Sequence, residues 1–262
     1  HLSSFNEYNN EISRNTSKDD TATVDIKTLD ADNSTMTITY EGAFDTNQTL
    51  NIESTEDNTS DTLTVNFDGN ATTVGAITVI ADGDGAGVGS NVFVNIKGNL
   101  VNGADSTLND NAGGLSTLTF NGTGAQAASK EIAGAAAGEG TIINANTGNT
   151  VTFTEELGKT NELLALTHNT GSTTVHSLAV DAVTLTSAGT ETYTVGLLKA
   201  TTINKTAGTI NVDAQNGGDS ITNLAGSGLA DLNMSASTVV NMSIASGETT
   251  NLEATIDGTA DG

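Results

Sequence analysis

The chain has no cysteine, no proline and no tryptophan, aromatic residues make up 3% of it, and Arg14 is its single arginine. Without cysteine there is neither disulfide nor thiol chemistry, and nothing follows about redox compartment. Without proline no strand is pushed to a sheet edge and no ladder donor is lost, so uninterrupted stacking of strands is permitted. So few aromatics disfavour a broad globular core. Val, Ile, Leu and the methyls of Thr must fill a thin one. No apolar run approaches the roughly twenty residues that a membrane helix requires.

Basic residues are also scarce. Eight Lys and Arg stand against 32 Asp and Glu, for a formal net charge of -24. A phosphate backbone needs clustered Lys and Arg, which excludes nucleic acid as a partner, and anionic membrane surfaces are disfavoured on the same ground. Carboxylates this dense repel one another on a compact body, which calls for solvent screening or for bound cations such as calcium. A salty environment would select the same acidity, and composition does not separate the two.

What the chain does have is repetition. From Thr173 to Gly258 short apolar runs return about every ten residues, separated by small polar turns. None of these blocks can bury its own side chains (Ile203; Ile210 and Val212; Ile221 and Leu224; Leu232 and Met234; Val240, Met242 and Ile244), so each must stack on a neighbour. This predicts an all-β fold with a parallel β-solenoid in the second half, two blocks forming a coil of roughly twenty residues. Between Thr21 and Ala81 five segments alternate apolar residues with Thr or Asn at period two and read as strands. For residues 21–121 both a solenoid and an antiparallel sandwich fit, because the strand spacing suits either. A Thr-apolar-Thr-apolar tetrad recurs, as at Thr35 to Ile38, Thr62 to Val65, Thr117 to Phe120, Thr150 to Phe153 and Thr192 to Val195. Val183 to Thr186 inverts the order.

The pattern divides into a polar arm at 1–20, a β-rich domain at 21–125, an irregular connection at 126–172 and the solenoid at 173–262. Alanine at 125–140 suggests a short helix, and 155–167 is the better candidate for one or two helical turns. The chain opens at His1 and stops in mid-pattern at Gly262, which reads as part of a longer polypeptide that continues the solenoid.

Catalytic readings are thin. A polysaccharide lyase needs cationic groups to stabilise an enolate, and one arginine in the terminal arm is a poor start. His168 and His176 lack a partner at metal-ligand spacing, and Glu155-Glu156 reads as flanking a helix start. Calcium is the better chemistry. Asp82 and Asp84 put two carboxylates at i and i+2 in a glycine-rich turn, and Asp213, Asn216 and Asp219 form a second oxygen-rich turn. Ordinary Asp/Gly turns have the same composition. The glycosylation sequons at Asn33, Asn47, Asn58, Asn70 and Asn121 are expected by chance in a chain so rich in Asn and Thr.

The tetrads, the Thr/Asn/Gly/Ala-rich blocks and the Asn216 to Ile221 turn together resemble bacterial surface-layer (S-layer) proteins, including the RTX type, although the tandem nonapeptides of that type are absent. The resemblance implies a secreted, cell-surface, calcium-supported lattice subunit that is not an enzyme. Its partners would be further copies of itself and a cell-surface glycan or lipopolysaccharide. A stalk or passenger segment of an adhesin and a polysaccharide-active β-helix enzyme are the alternatives.

Overall fold

A computed structural model describes residues 10–14, 23–28, 35–54, 61–82, 89–146 and 149–169, then the strands at 172–176, 179–187, 190–194, 197–205, 209–214, 230–234, 239–244 and 254–257. Beyond residue 169 side chains are described only at 180 and 182–186.

The chain is a parallel β-solenoid whose strands fall into three sheets of six, nine and ten strands. The ten-stranded wide face runs from Thr35–Tyr40 through Thr62–Phe67, Asn91–Ile96, Leu115–Phe120, Glu139–Asn144 and Leu163–His168 to Ala254–Asp257. The nine-stranded second face runs from Phe44–Asp45 to Val239–Ile244, and the six-stranded short face from Asn10–Arg14 to Ile132–Gly134. Thr62 pairs with Thr35, 27 residues before it, and Asn91 pairs with Thr62 in turn. Asn10–Arg14, inside the expected arm, pairs antiparallel with Thr23–Thr28, whereas every other described strand pair is parallel. The sandwich alternative for residues 21–121 is therefore not realised.

Register explains the core. On the wide face Ile38, Val65, Val94, Leu118, Ile142, Leu166, Leu185, Ile203, Leu232 and Ile256 lie in one column, each beside the next. From Ile38 to Leu185 every member is buried. Period-two alternation sends these aliphatics inward together because a one-residue slip would turn the whole set to solvent. The expected core residues follow the same rule. Ile203 and Leu232 share this column, while Ile210 and Val212 pair with Val240 and Met242 on the second face. Ile221 and Leu224 lie outside the described residues.

The coil shortens along the chain. The short face ends at Ile132–Gly134 and continues only as single bridges through Leu157 to Val180. Ala182 then pairs with Leu163, and Ala200 with Ala182, at separations close to the two-block coil of about twenty residues. Asp231 pairs with Thr202 across a longer coil.

The helices expected at 125–140 and 155–167 are absent, and strands Gln126–Ala128, Ile132–Gly134 and Leu163–His168 occupy those segments. The row of unpaired N–H and C=O groups on the preceding coil is a template that alanine's helix propensity does not outweigh. Gly138 and Gly140, at φ 81° and 76°, also interrupt any helix. The one helical turn among the described residues is the 3-10 turn Asn111–Gly113.

One corner is built on glycine. A Cβ on Gly69 would lie 2.3 Å from the Gly42 carbonyl oxygen, and one on Gly98 would lie 2.2 Å from the Asn70 carbonyl. Turn is stacked directly on turn, with no room for a side chain between backbones. Gly98→Ala is expected to destabilise the protein by about 1–3 kcal/mol, the usual cost of forcing atoms into a packed site. Thermal melting checks this, and an unchanged melting temperature would contradict the close stacking.

Candidate functional site

Of the five expected calcium ligands, only Asp82 has a described side chain. It follows strand Ala76–Ala81, its Oδ1 accepts Asn111 Nδ2 at 2.8 Å, and its carbonyl accepts the Ser90 N–H at 2.9 Å. These bonds tie the turn to the next coil and to the following strand. Asp84, Asn216 and Asp219 lie outside the described residues. The backbone of Asp213 sits in strand Thr209–Ala214, beside Thr194 and Ser243. Among the described residues no three His, Cys, Asp or Glu side chains converge on one point.

Among the described residues the glycine corner forms a concavity, a groove of about 440 Å³ that crosses three successive coils at Asp68, Asn70, Lys97, Asn99, Asn121 and Thr123. Its floor follows from the turns, since on the coils it crosses the wide-face strand ends in a short polar turn before the second face begins. Lys97 Nζ meets Asp68 Oδ2 at 2.7 Å across one coil step. Asn99 Oδ1 accepts the Ala127 N–H at 2.9 Å. Asn121 Oδ1 is buried in the wall without a hydrogen-bond partner. The lining offers amides, a hydroxyl and one ion pair, which suits a ligand rich in hydroxyl groups.

Behind the groove lies a buried amide network. Gln126, 3% exposed, donates from Nε2 to the carbonyls of Ile96 at 2.8 Å and Gly98 at 2.9 Å. Its Oε1 accepts the Gly122 N–H and Asn146 Nδ2, each at 2.8 Å. Asn146 Nδ2 also reaches the Gly124 carbonyl at 2.7 Å. One side chain thus satisfies backbone groups from two coils at a corner where ladder pairing stops. Alternation alone gives Gln126 no reason to point inward. The signal that finds it is the glycine column, since Gly122 follows Gly42, Gly69 and Gly98 at coil spacing.

The acidic pair Glu155-Glu156 caps no helix. Glu155 Oε1 accepts Lys130 Nζ at 2.6 Å, and Glu156 pairs with Lys159. The bond from Glu155, then its charge, holds Lys130 above the usual lysine range, and Glu156 does the same for Lys159. His168 is 1% exposed at the inner end of its strand, in register with Asn144. That makes it a core histidine.

Outward residues are laddered as well. On the wide face Asn95 Nδ2 donates to Asn66 Oδ1 at 2.8 Å, and Asn66 Nδ2 donates to Thr39 Oγ1 at 3.2 Å. On the short face Asn51 Nδ2 donates to Asp25 Oδ1 at 2.8 Å, and Lys27 pairs with Glu53. The tetrads sort onto two faces. Thr35 to Ile38 and Thr62 to Val65 are in register on the wide face, while Thr152 and Thr194 flank His176 on the second. No protein-family model, no curated protein and no solved structure matches this chain.

Proposed function

We propose that this chain is a structural protein of the cell surface, a secreted S-layer lattice subunit that self-associates with calcium support. The observation that carries this reading is the parallel ladder. A sheet of ten strands with inter-strand steps of about 4.8 Å makes a stiff body that presents a similar surface at every rung, and added coils extend it without changing the design. The side-chain ladders from Asn95 to Thr39 and from Asn51 to Asp25 stiffen it further.

Charge explains the calcium. Subunits of net charge -24 repel when their acidic turns approach. A divalent ion held at Asp82 and Asp84, or at Asp213, Asn216 and Asp219, reverses the sign of that local interaction. A cell-surface glycan or lipopolysaccharide is the partner that would hold the lattice to the cell, and the hydroxyl-matching corner groove supports that part of the reading.

Micrographs and melting curves of one sample, with calcium and with chelator, test the proposal. Arrays are expected with calcium and dispersed particles without it. Melting temperature should fall on chelation, because an ion at a hundred times its Kd stabilises the folded state by about 2.7 kcal/mol. Particles that stay monomeric in both conditions would sink the lattice. Long isolated rods would favour the adhesin stalk, and identical melting curves would remove the calcium.

A further inference from the structure

The acids of this chain are unevenly placed. Described carboxylates concentrate in the turns, as at Asp68, Asp82, Asp105 and Glu131, and on the short face at Asp25 and Glu53. Between Thr35 and Thr186 the described outward positions of the wide face carry Thr, Asn and a few apolar residues. The charged group among them is Glu139, whose Oε2 folds back to accept the Ala136 N–H at 3.1 Å. A chain of net charge -24 thus holds one broad flat surface nearly free of charge.

Two features make this surface an interface rather than merely a neutral one. At the start of strand Leu115–Phe120, on the margin of this face, Leu115 is 47% exposed, the most exposed large apolar side chain among the described residues, and it stands beside Asn91. Phe93 projects outward from the adjacent strand, between Thr64 and Thr117. One apolar anchor inside a polar neutral field and a second at its margin, with charge displaced to the turns, match the anatomy of an association surface. Its size also fits. The seven strands from Thr35–Tyr40 to Ala179–Ser187, at about 4.8 Å each and six residues at about 3.3 Å, cover roughly 34 Å by 20 Å, approaching the ~800 Å² per partner of a standard interface. The second face is too narrow to serve, with strands of two to four residues as far as Phe153.

We propose that the wide face is the surface through which this chain associates with a second copy of itself, the two sheets packing face to face. Charge selects the occupant. Two copies at -24 repel wherever their carboxylates meet, and this pairing brings together a broad area that lacks them among the described residues while the acidic corners stay at a solvated rim. The inference rests on the self-assembly reading and names the surface that assembly uses.

Sedimentation velocity over a concentration series, at low and high salt, tests it on the whole chain. Leu115→Asp and Thr64→Asp each place a charge on the wide face, and Thr78→Asp places one outward on the short face as a control. The parent should self-associate, more strongly as salt screens the rim. Either wide-face substitution should weaken association at least tenfold, while Thr78→Asp leaves it unchanged. Thr64→Asp, at an outward threonine, keeps the test decisive should Leu115→Asp lose the fold. A parent that stays monomeric at all concentrations and salts overturns the proposal, and so does association that both wide-face variants leave intact. A monomer that cosediments with an insoluble polysaccharide through these residues overturns it in favour of a flat glycan surface. Arrays that survive both substitutions would keep the lattice and remove this face from it. Dimers without arrays, broken by the substitutions, would support the face and sink the lattice.

Discussion

Gln126→Leu is expected to lower stability by about 2–6 kcal/mol, because each buried polar group left without a partner costs about 1–3 kcal/mol. Two groups lose their partner, the Gly98 carbonyl and the Gly122 N–H, while the Ile96 carbonyl keeps the Asn121 N–H and the Asn146 amide keeps the Gly124 carbonyl. Leucine has nearly the volume of glutamine, so the loss reports hydrogen bonding and not a cavity. Set against the roughly 5–15 kcal/mol that separates folded from unfolded for an ordinary domain, that is a large share. Gln126→Glu keeps the acceptor but loses the two donated bonds and buries a charge, so it should be no better tolerated. Urea denaturation with a fitted slope measures both. A loss below about 1 kcal/mol for Gln126→Leu would mean that water replaces the glutamine and that the network does not bind the coils together.

The second large effect lies in the aromatic pillar of the core. Tyr40, Phe67, Ile96 and Phe120 stand in one column along the inner end of the wide face. Phe120 meets Phe153 of the second face edge to face, ring centres 5.2 Å apart at 89°. Phe120 is fully buried, so Phe120→Ala should cost about 3–5 kcal/mol through lost transfer energy and a residual cavity. In a solenoid each coil contacts only its neighbours, so the damage should also be local in character. Hydrogen exchange should show the coil holding Leu115–Phe120 opening ahead of the strands around Leu50 and Ile52. A uniform rise in exchange along the chain would instead mean that the coils unfold as one unit.

Beyond Phe120 the same column turns polar, with Asn144 and then His168, both buried. The coil shortens at about the same place, where the short face gives way to single bridges at Leu157 and Val180. The segment 126–172 that reads as irregular is therefore where three-sided coils become narrower ones, with ladders continuing across it.

Taken alone, the sequence determined that the chain is built from short strands, stacked in parallel from residue 173 onward, and left both a parallel and an antiparallel arrangement open for residues 21–121. Period-two alternation in segments such as Thr62–Phe67 decides which side chains turn inward, and blocks too short to bury Ile203 or Leu232 on their own require a neighbour. It also made the acidic turns legible as residue types. Coil length, and so the set of residues that share a face, was decided only by the tertiary structure. A strand's inward pattern is the same whichever strand lies beneath it. The register comes from turns stacked on turns, where Gly69 and Gly98 leave no space for a Cβ and Gln126 joins one corner to the next. The neutral wide face has the same origin. Each Thr and Asn that forms it is an ordinary outward residue of its own strand, and closure of the coil aligns them on one side while the carboxylates gather at the corners.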